Sequence, residues 1–305
     1  MRLIVLFFII LVSAGCVEKF DVNYQTESMP GIAGIFSQND DSIKVLVYWG
    51  LTPDKADDEF SPISNASVAL YDKEQVLSGL NGSPHNQYYS CANVTTIGGQ
   101  YKIVVSIPEY GTISAKTYIP EPVDIQFVRY DTLSMPDEYG FLHYYADFSL
   151  KLRNLYSDTL YLAVGFKGLG VGDIIIDDPV IGKWDTRSRN EIVVFAIKNI
   201  QDSVYSFTIR GALYDTWIPP DREISDTVSV RFYVMTLSEE AYRTFLSYNF
   251  SLGQSGLWDI PLDYFTEPVS AYSNVENGYG YFAGYSVDST RIISFYAQTS
   301  KGKFR

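Results

Sequence analysis

Apolar and polar residues alternate at every second position through much of this chain. Phe148, Leu150 and Leu152 alternate with Asp147, Ser149, Lys151 and Arg153. Tyr205, Phe207 and Ile209 alternate with Ser206, Thr208 and Arg210, and Val228, Val230, Phe232 and Val234 with Thr227, Ser229, Arg231 and Tyr233. A period of two places successive side chains on opposite faces, so each run predicts a strand with one buried face. Shorter β-rich runs predict strands over Ser42–Trp49, Ala66–Tyr71, Gln100–Pro108, Thr112–Ile119, Leu160–Phe166, Ile192–Ile197 and Arg291–Ala297.

Between these runs lie the breaks. Asn81-Gly82 predicts a turn. Thr52–Asn65 reads as a loop, with Pro53, Pro62 and the acids Asp54, Asp57, Asp58 and Glu59. Asp21–Ser37 has no clear period and holds Pro30, Gly31 and Gly34, so residues 16–37 read as a tether. Pro120 and Pro122 close the first block of strands. One helix is predicted: Ser238 can cap it, Glu239 and Glu240 fall in its first turn, and Leu237, Ala241, Phe245 and Leu246 recur at helical spacing. It should end near Tyr248, before Gly253. No strand–helix–strand rhythm suggests a parallel α/β fold. The expected architecture is therefore all-β: a β-sandwich over residues 38–120, then a larger, mostly antiparallel β domain over residues 121–305 with one short helix.

The N-terminus departs from this pattern. Met1-Arg2 is followed by an unbroken apolar run, Leu3–Val12, then Ser13-Ala14-Gly15 and Cys16. Charge, apolar run and small residues in that order mark an export signal. Ten residues span about 15 Å as a helix, whereas a membrane span needs about 20 residues. The site resembles a lipobox, with Ser13 where Leu is usual. Residues 1–15 are expected to be cleaved and Cys16 to carry lipid, which anchors the protein to a membrane. Glu18 and Asp21 place acids just after the cysteine, an arrangement that resembles the surface-export signals of bacterial lipoproteins and so implies display on the outer face of the outer membrane.

Charge and cysteine content narrow the function. The net charge is −13, which argues against nucleic-acid binding through a basic surface. With Cys16 lipidated, Cys91 has no partner for a disulfide and reads as a small buried hydrophobe. The 25 Tyr and 18 Phe suit half-buried strands first and contact surfaces second.

Candidate chemistry is sparse. Gly168-x-Gly170-x-Gly172 lacks the third glycine of a dinucleotide fingerprint and opens no helix. Gly253-Gln254-Ser255-Gly256 misses nucleophile-elbow spacing by one residue. His85 and His143 are scattered, which leaves no His-rich metal site and no recognisable Ser-His-Asp relay. Asn39-Asp40-Asp41 and Asp54-x-x-Asp57-Asp58-Glu59 lack the EF-hand spacing and read as solvated acidic loops. No catalytic residue, metal site or cofactor is assigned.

The C-terminal string Phe265-Thr266-Glu267-Pro268, then Tyr272-Ser273-Asn274-Val275-Glu276-Asn277-Gly278-Tyr279-Gly280-Tyr281-Phe282-Ala283-Gly284-Tyr285-Ser286, resembles the closing signature of a Bacteroidota lipoprotein family of unknown function, DUF4249. The stretches Ser64–Tyr71, Gly99-Gln100-Tyr101 and Ser114–Pro120 look like that family's N-terminal transthyretin-like, or immunoglobulin-like, sandwich. The resemblance covers the mature chain. It implies an outer-membrane lipoprotein that accompanies a TonB-dependent transporter, and it offers no catalytic residues. The expected role is non-catalytic binding at the cell surface; the alternatives are an anchored glycan or peptide hydrolase and a structural or adhesive surface protein. Tyr272, Asn274, Tyr279, Tyr281 and Phe282 are the candidate contact surface, because Tyr combines apolar area with a hydroxyl at low entropy cost. A core hairpin with buried aromatics is the simpler reading of the same stretch.

Overall fold

A computed structural model describes residues 28–50, 61–82, 88–136, 142–153, 155, 159–169, 171, 174–185, 192–198, 203–213, 227–255 and 272–296. The fold is all-β and sandwich-like, with one helix among the described residues. Its first block comprises β1 (Pro30–Ser37), β2 (Ser42–Trp49), β3 (Ser61–Pro62), β4 (Ser67–Asp72), β5 (Gln75–Gly82), β6 (Tyr88–Ala92), β7 (Gln100–Ile107) and β8 (Gly111–Tyr118). The second comprises β9 (Asp124–Pro136), β10 (Leu142–Arg153), β11 (Thr159–Leu169), β12 (Ile174–Asp178), β13 (Gly182–Asp185), β14 (Ile192–Lys198), β15 (Val204–Ala212) and β16 (Thr227–Leu237). Helix α1 (Glu239–Ser255) follows, and β17 (Val275–Glu276), β18 (Tyr279–Ser289) and β19 (Ile293–Tyr296) are the last elements among the described residues.

Fourteen strands form one sheet in the order β14-β11-β16-β18-β1-β2-β6-β5-β4-β7-β8-β17, with β19 added beside β16 and β3 beside β2. The sheet curls until β8 returns to β18: a Cβ on Gly284 would stand 2.3 Å from the Tyr118 carbonyl oxygen. Ile32, Phe36, Val45, Val47, Leu70, Ile103, Ile113 and Phe282 fill the curl. A five-stranded sheet, β13-β12-β15-β10-β9, packs over the other half of the large sheet. Phe148, Leu150 and Leu152 of β10 meet Val228, Val230, Phe232 and Val234 of β16 in that second core, with the Phe148 and Phe232 rings 4.9 Å apart. The alternation read in the sequence thus points each of these runs at one core.

Helix α1 covers the opposite face of β11, β16 and β18. Ala241, Tyr242, Phe245 and Leu246 pack on Ala163, Met235, Leu237 and Ala283. Ser238 caps it as expected: its Oγ accepts the Ala241 N–H at 3.1 Å, satisfying one of the unpaired donors of the first turn. The helix continues past Tyr248 and through Gly253 to Ser255, so its expected end is corrected.

Three further expectations are corrected. Pro30–Ser37 is not tether but β1, a strand in mid-sheet with Ile32 and Phe36 fully buried. Its glycines interrupt any period, which hid it. Asn81-Gly82 is not a turn; Asn81 faces Ser90 and Gly82 faces Tyr89 within the β5–β6 ladder. The chain turns instead at Lys73, whose φ is 53°, between β4 and β5. Nor do the cores follow the division at residue 120. β18 pairs in parallel with β1, β17 pairs with β8, and Val275 and Phe282 lie in the first core.

Candidate contact surface

Strand β18 carries three of the residues singled out in the sequence, Tyr279, Tyr281 and Phe282, while Tyr272 and Asn274 precede β17. The position of β18 between β1 and β16 gives it two faces. Phe282 turns into the first core, fully buried, with its ring 4.9 Å from Phe36. It is therefore withdrawn from any contact surface: period-two geometry aims it inward while Tyr281, its neighbour, takes the outer side. Asn274 is likewise committed to the fold. Its Nδ2 donates to the carbonyl oxygens of Lys116 at 2.9 Å and Phe282 at 2.8 Å, and its Oδ1 accepts the Phe282 N–H at 3.0 Å. It ties β18 to β8.

The remaining tyrosines are partly exposed. Tyr279 meets the ring of Tyr48 edge to face, with centroids 5.7 Å apart. Tyr281 contributes to the field around Tyr48. Tyr272 stands apart from them, beneath the Arg243 guanidinium at 5.6 Å, the geometry of a cation–π contact. Arg243 also pairs with Glu239 one helical turn earlier. The structure thus brings Tyr279 and Tyr281 together around Tyr48, and places Tyr272 at the helix.

Tyr48 was not anticipated. It belongs to β2, where the alternation marks Val45 and Val47 as core and leaves Tyr48 as an ordinary outward residue. Its importance comes from Gly31 and Gly50, which leave room for rings. Gly31 faces both Tyr48 and Tyr279 in the register, and a Cβ on Gly50 would overlap the Tyr279 hydroxyl. A glycine opposite a tyrosine on a neighbouring strand was the available signal, and it needs the register to be seen.

Burial raises the pKa of Tyr48 to about 12, with Tyr279 and Tyr281 adding to the shift. Burial also raises Tyr279, Tyr272 and Tyr285. All four hydroxyls therefore remain protonated near neutrality and are able to donate hydrogen bonds. The surface can offer apolar ring area edged by neutral donors.

The other candidates are dispersed. Cys91 is half-buried in β6 against the first core; burial raises its thiol pKa, partly offset by a hydrogen bond with Ser78, which disfavours the reactive thiolate. Asp40 accepts the Ser37 N–H at 2.7 Å and shapes the β1–β2 turn. His143 lies half-buried in β10. Among the described residues no group of three or more His, Cys, Asp or Glu could hold a metal ion, and no helix is long and apolar enough to cross a membrane. Cys16, His85, Gly170, Gly172, Gly256 and the acids Asp54 to Glu59 lie outside the described residues.

These features define a sandwich-like all-β protein with a tyrosine-lined sheet face. Residues 17–291 match the model of the domain of unknown function DUF4249, and the chain belongs to that family. No curated protein matches it. Among solved structures, a β-glucuronidase from glycoside hydrolase family 2 is similar at 14% identity, over 67% of this chain and 19% of its own, with a TM-score of 0.23. Trypsin-activated alpha-2-macroglobulin from Escherichia coli is similar at 11% identity, over 70% of this chain and 15% of its own, with a TM-score of 0.20. The BSP domain of a biofilm-associated protein is similar at 7% identity, over 86% of this chain and 59% of its own, with a TM-score of 0.19. The chain thus spans under a fifth of the length of the first two, and TM-scores this low define no shared fold.

Proposed function

We propose that this protein is a lipid-anchored surface protein of a Bacteroidota outer membrane, acting as a non-catalytic binding subunit beside a TonB-dependent transporter. The observation that carries the reading is the order of its N-terminus: an apolar run, Ser13-Ala14-Gly15, then Cys16, with the family match beginning at the next residue. Val17 to Met29 separate the cysteine from β1. At up to about 3.5 Å per residue, that length reaches about 45 Å from a membrane surface. Tyr279 and Tyr281, braced by the buried Tyr48, are the proposed contact face, since half-buried tyrosines present area that is already held in place.

Two experiments test the reading. Replacing Cys16 by Ala should release the protein from the membrane fraction and change its processed mass; unchanged retention and mass would end the anchoring claim. Affinity purification from detergent-solubilised outer membranes should recover a transporter in near-equal amount. A protein that purifies alone in several mild detergents is not a transporter subunit. Turnover of a glycan or peptide by the purified protein, abolished by one carboxylate substitution, would replace binding with hydrolysis.

A further inference from the structure

We propose that the chain self-associates through the edge of β9 that no described strand covers, which pairs with the β9 of a second copy about a two-fold axis at Tyr130. This inference is independent of the transporter reading.

Strand β9 ends the five-stranded sheet, with β10 along one side. Its other side is occupied at the start. The Val123 N–H donates to Thr236 Oγ1 at 2.9 Å and the Ile125 N–H to Asp288 Oδ2 at 2.9 Å. Beyond that point the strand emerges. From Val128 to Met135 every residue is exposed except Leu133, which is half-buried. Val128 is 55% exposed, Tyr130 39% and Met135 42%. A long edge that presents backbone groups beside exposed apolar side chains is a template for another strand.

The side chains select which strand. Arg129 and Asp131 lie on one face and pair with each other at 3.5 Å, 71% and 66% exposed, a contact worth little where water competes. In an antiparallel pair centred on Tyr130, Arg129 of each copy faces Asp131 of the other. Tyr130 faces its own equivalent, and the regular ladder starts at Arg129, because Val128 is the extra residue of a β-bulge opposite Leu150. Each favourable pair occurs twice, as a two-fold interface requires. A slide by one residue mismatches both faces and hydrogen-bonding positions. The next permitted registers set Arg129 against Arg129 or Asp131 against Asp131, like charges directly opposed. Charges on an edge strand commonly guard it; this pair, opposite in sign and two residues apart, complements itself in one register.

The test is sedimentation of the full chain in detergent, across micromolar to submillimolar concentration. The wild type should dimerise. Arg129→Asp and Asp131→Arg should each weaken the dimer by about tenfold or more, since each places two like-charged pairs across the axis. The double swap R129D/D131R should restore it. These side chains are solvent-exposed, so all variants should keep the wild-type circular dichroism. Amide hydrogen exchange should show protection centred on Arg129–Asp131 that rises with concentration. A chain that stays monomeric overturns the proposal, as does a dimer indifferent to the single reversals or one the swap fails to restore.

Discussion

Tyr48 lies across Gly31. The two residues face each other in the β1–β2 ladder, and a Cβ on Gly31 would stand 2.6 Å from Tyr48 Cζ. The arrangement recurs at directly opposed pairs elsewhere: Tyr233 over Gly165, where the added Cβ would meet the ring at 2.4 Å, and Tyr89 over Gly82, at 3.1 Å. Glycine weakens a strand because it has nothing to pack; a neighbouring ring laid over it restores the covering.

Gly31→Ala should therefore destabilise the protein by about 1–3 kcal/mol, by forcing the ring aside. Tyr48→Ala should cost about 2–4 kcal/mol through lost burial. The double variant should cost less than the sum by at least about 0.5 kcal/mol, because without the ring the added methyl has space. Urea unfolding of the four chains measures the coupling; strict additivity would show that the two residues act independently.

The same tyrosine sets an alkaline limit. Its folded pKa is raised from 10.0 to about 12, first by burial. A raised tyrosine favours the fold while neutral, so its contribution is complete below pH 10 and is lost as the pH climbs towards 12. Tyr48→Phe keeps the ring and removes the ionisation. The wild type should lose stability relative to this variant between about pH 10 and pH 12, and the two should run parallel below about pH 9.

Gly280 answers a different constraint. Its φ is +101°, and a Cβ would stand 2.0 Å from the Ile32 carbonyl oxygen across the parallel β1–β18 pair. Both strain and clash oppose a side chain there, so Gly280→Ala should cost about 2–4 kcal/mol. Gly79→Ala is the contrasting control. Its Cβ would find only the Val68 carbonyl oxygen, at 4.0 Å, and its stability should stay within about 1 kcal/mol of wild type.

Asn274 should tolerate no isostere. Asn274→Asp keeps the size but replaces the Nδ2 donor with a carboxylate oxygen aimed at the Lys116 and Phe282 carbonyls. The loss should reach about 2–4 kcal/mol at neutral pH. It should shrink as the pH falls towards about 4, because a protonated Asp regains one donor. A deficit that is unchanged by pH would place the cost elsewhere.

Arg210 and Asp147 should differ in cost although they form one pair. Arg210 Nε and Nη2 meet the two Asp147 oxygens at 2.7 and 2.9 Å across β10 and β15. From the other side, Asp131 faces Asp147 in the β9–β10 register. Arg210→Ala leaves two carboxylates opposed and should cost about 1–2 kcal/mol, reduced by salt. Asp147→Ala removes the attraction and the repulsion together and should cost about 0–1 kcal/mol. Equal losses would mean that Asp131 plays no part.

Much of this architecture could be read along the chain because alternation is a local property. Ser42–Trp49 was legible to the residue: Ile43, Val45 and Val47 point into the core and Lys44 points out. The helix start was legible too, since a cap and its first turn lie within a few residues. The end of that helix was not, because a single interior glycine costs only about 1 kcal/mol against alanine and does not by itself stop a helix. Strands β1 and β18 escaped for a related reason. Their glycines break the period, and β18 is covered on both sides, by the first core and in part by α1, so no polar face marks it. Their parallel register joins Gly31 to Tyr279. No local pattern specifies a partner so distant; it arises where the curled sheet brings two glycine-bearing strands close enough to pair. That register buries Phe282, commits Asn274 to the fold and leaves Tyr279 beside Tyr48. Composition marked the stretch as tyrosine-rich, and the packing of other strands determined which of its side chains face outward.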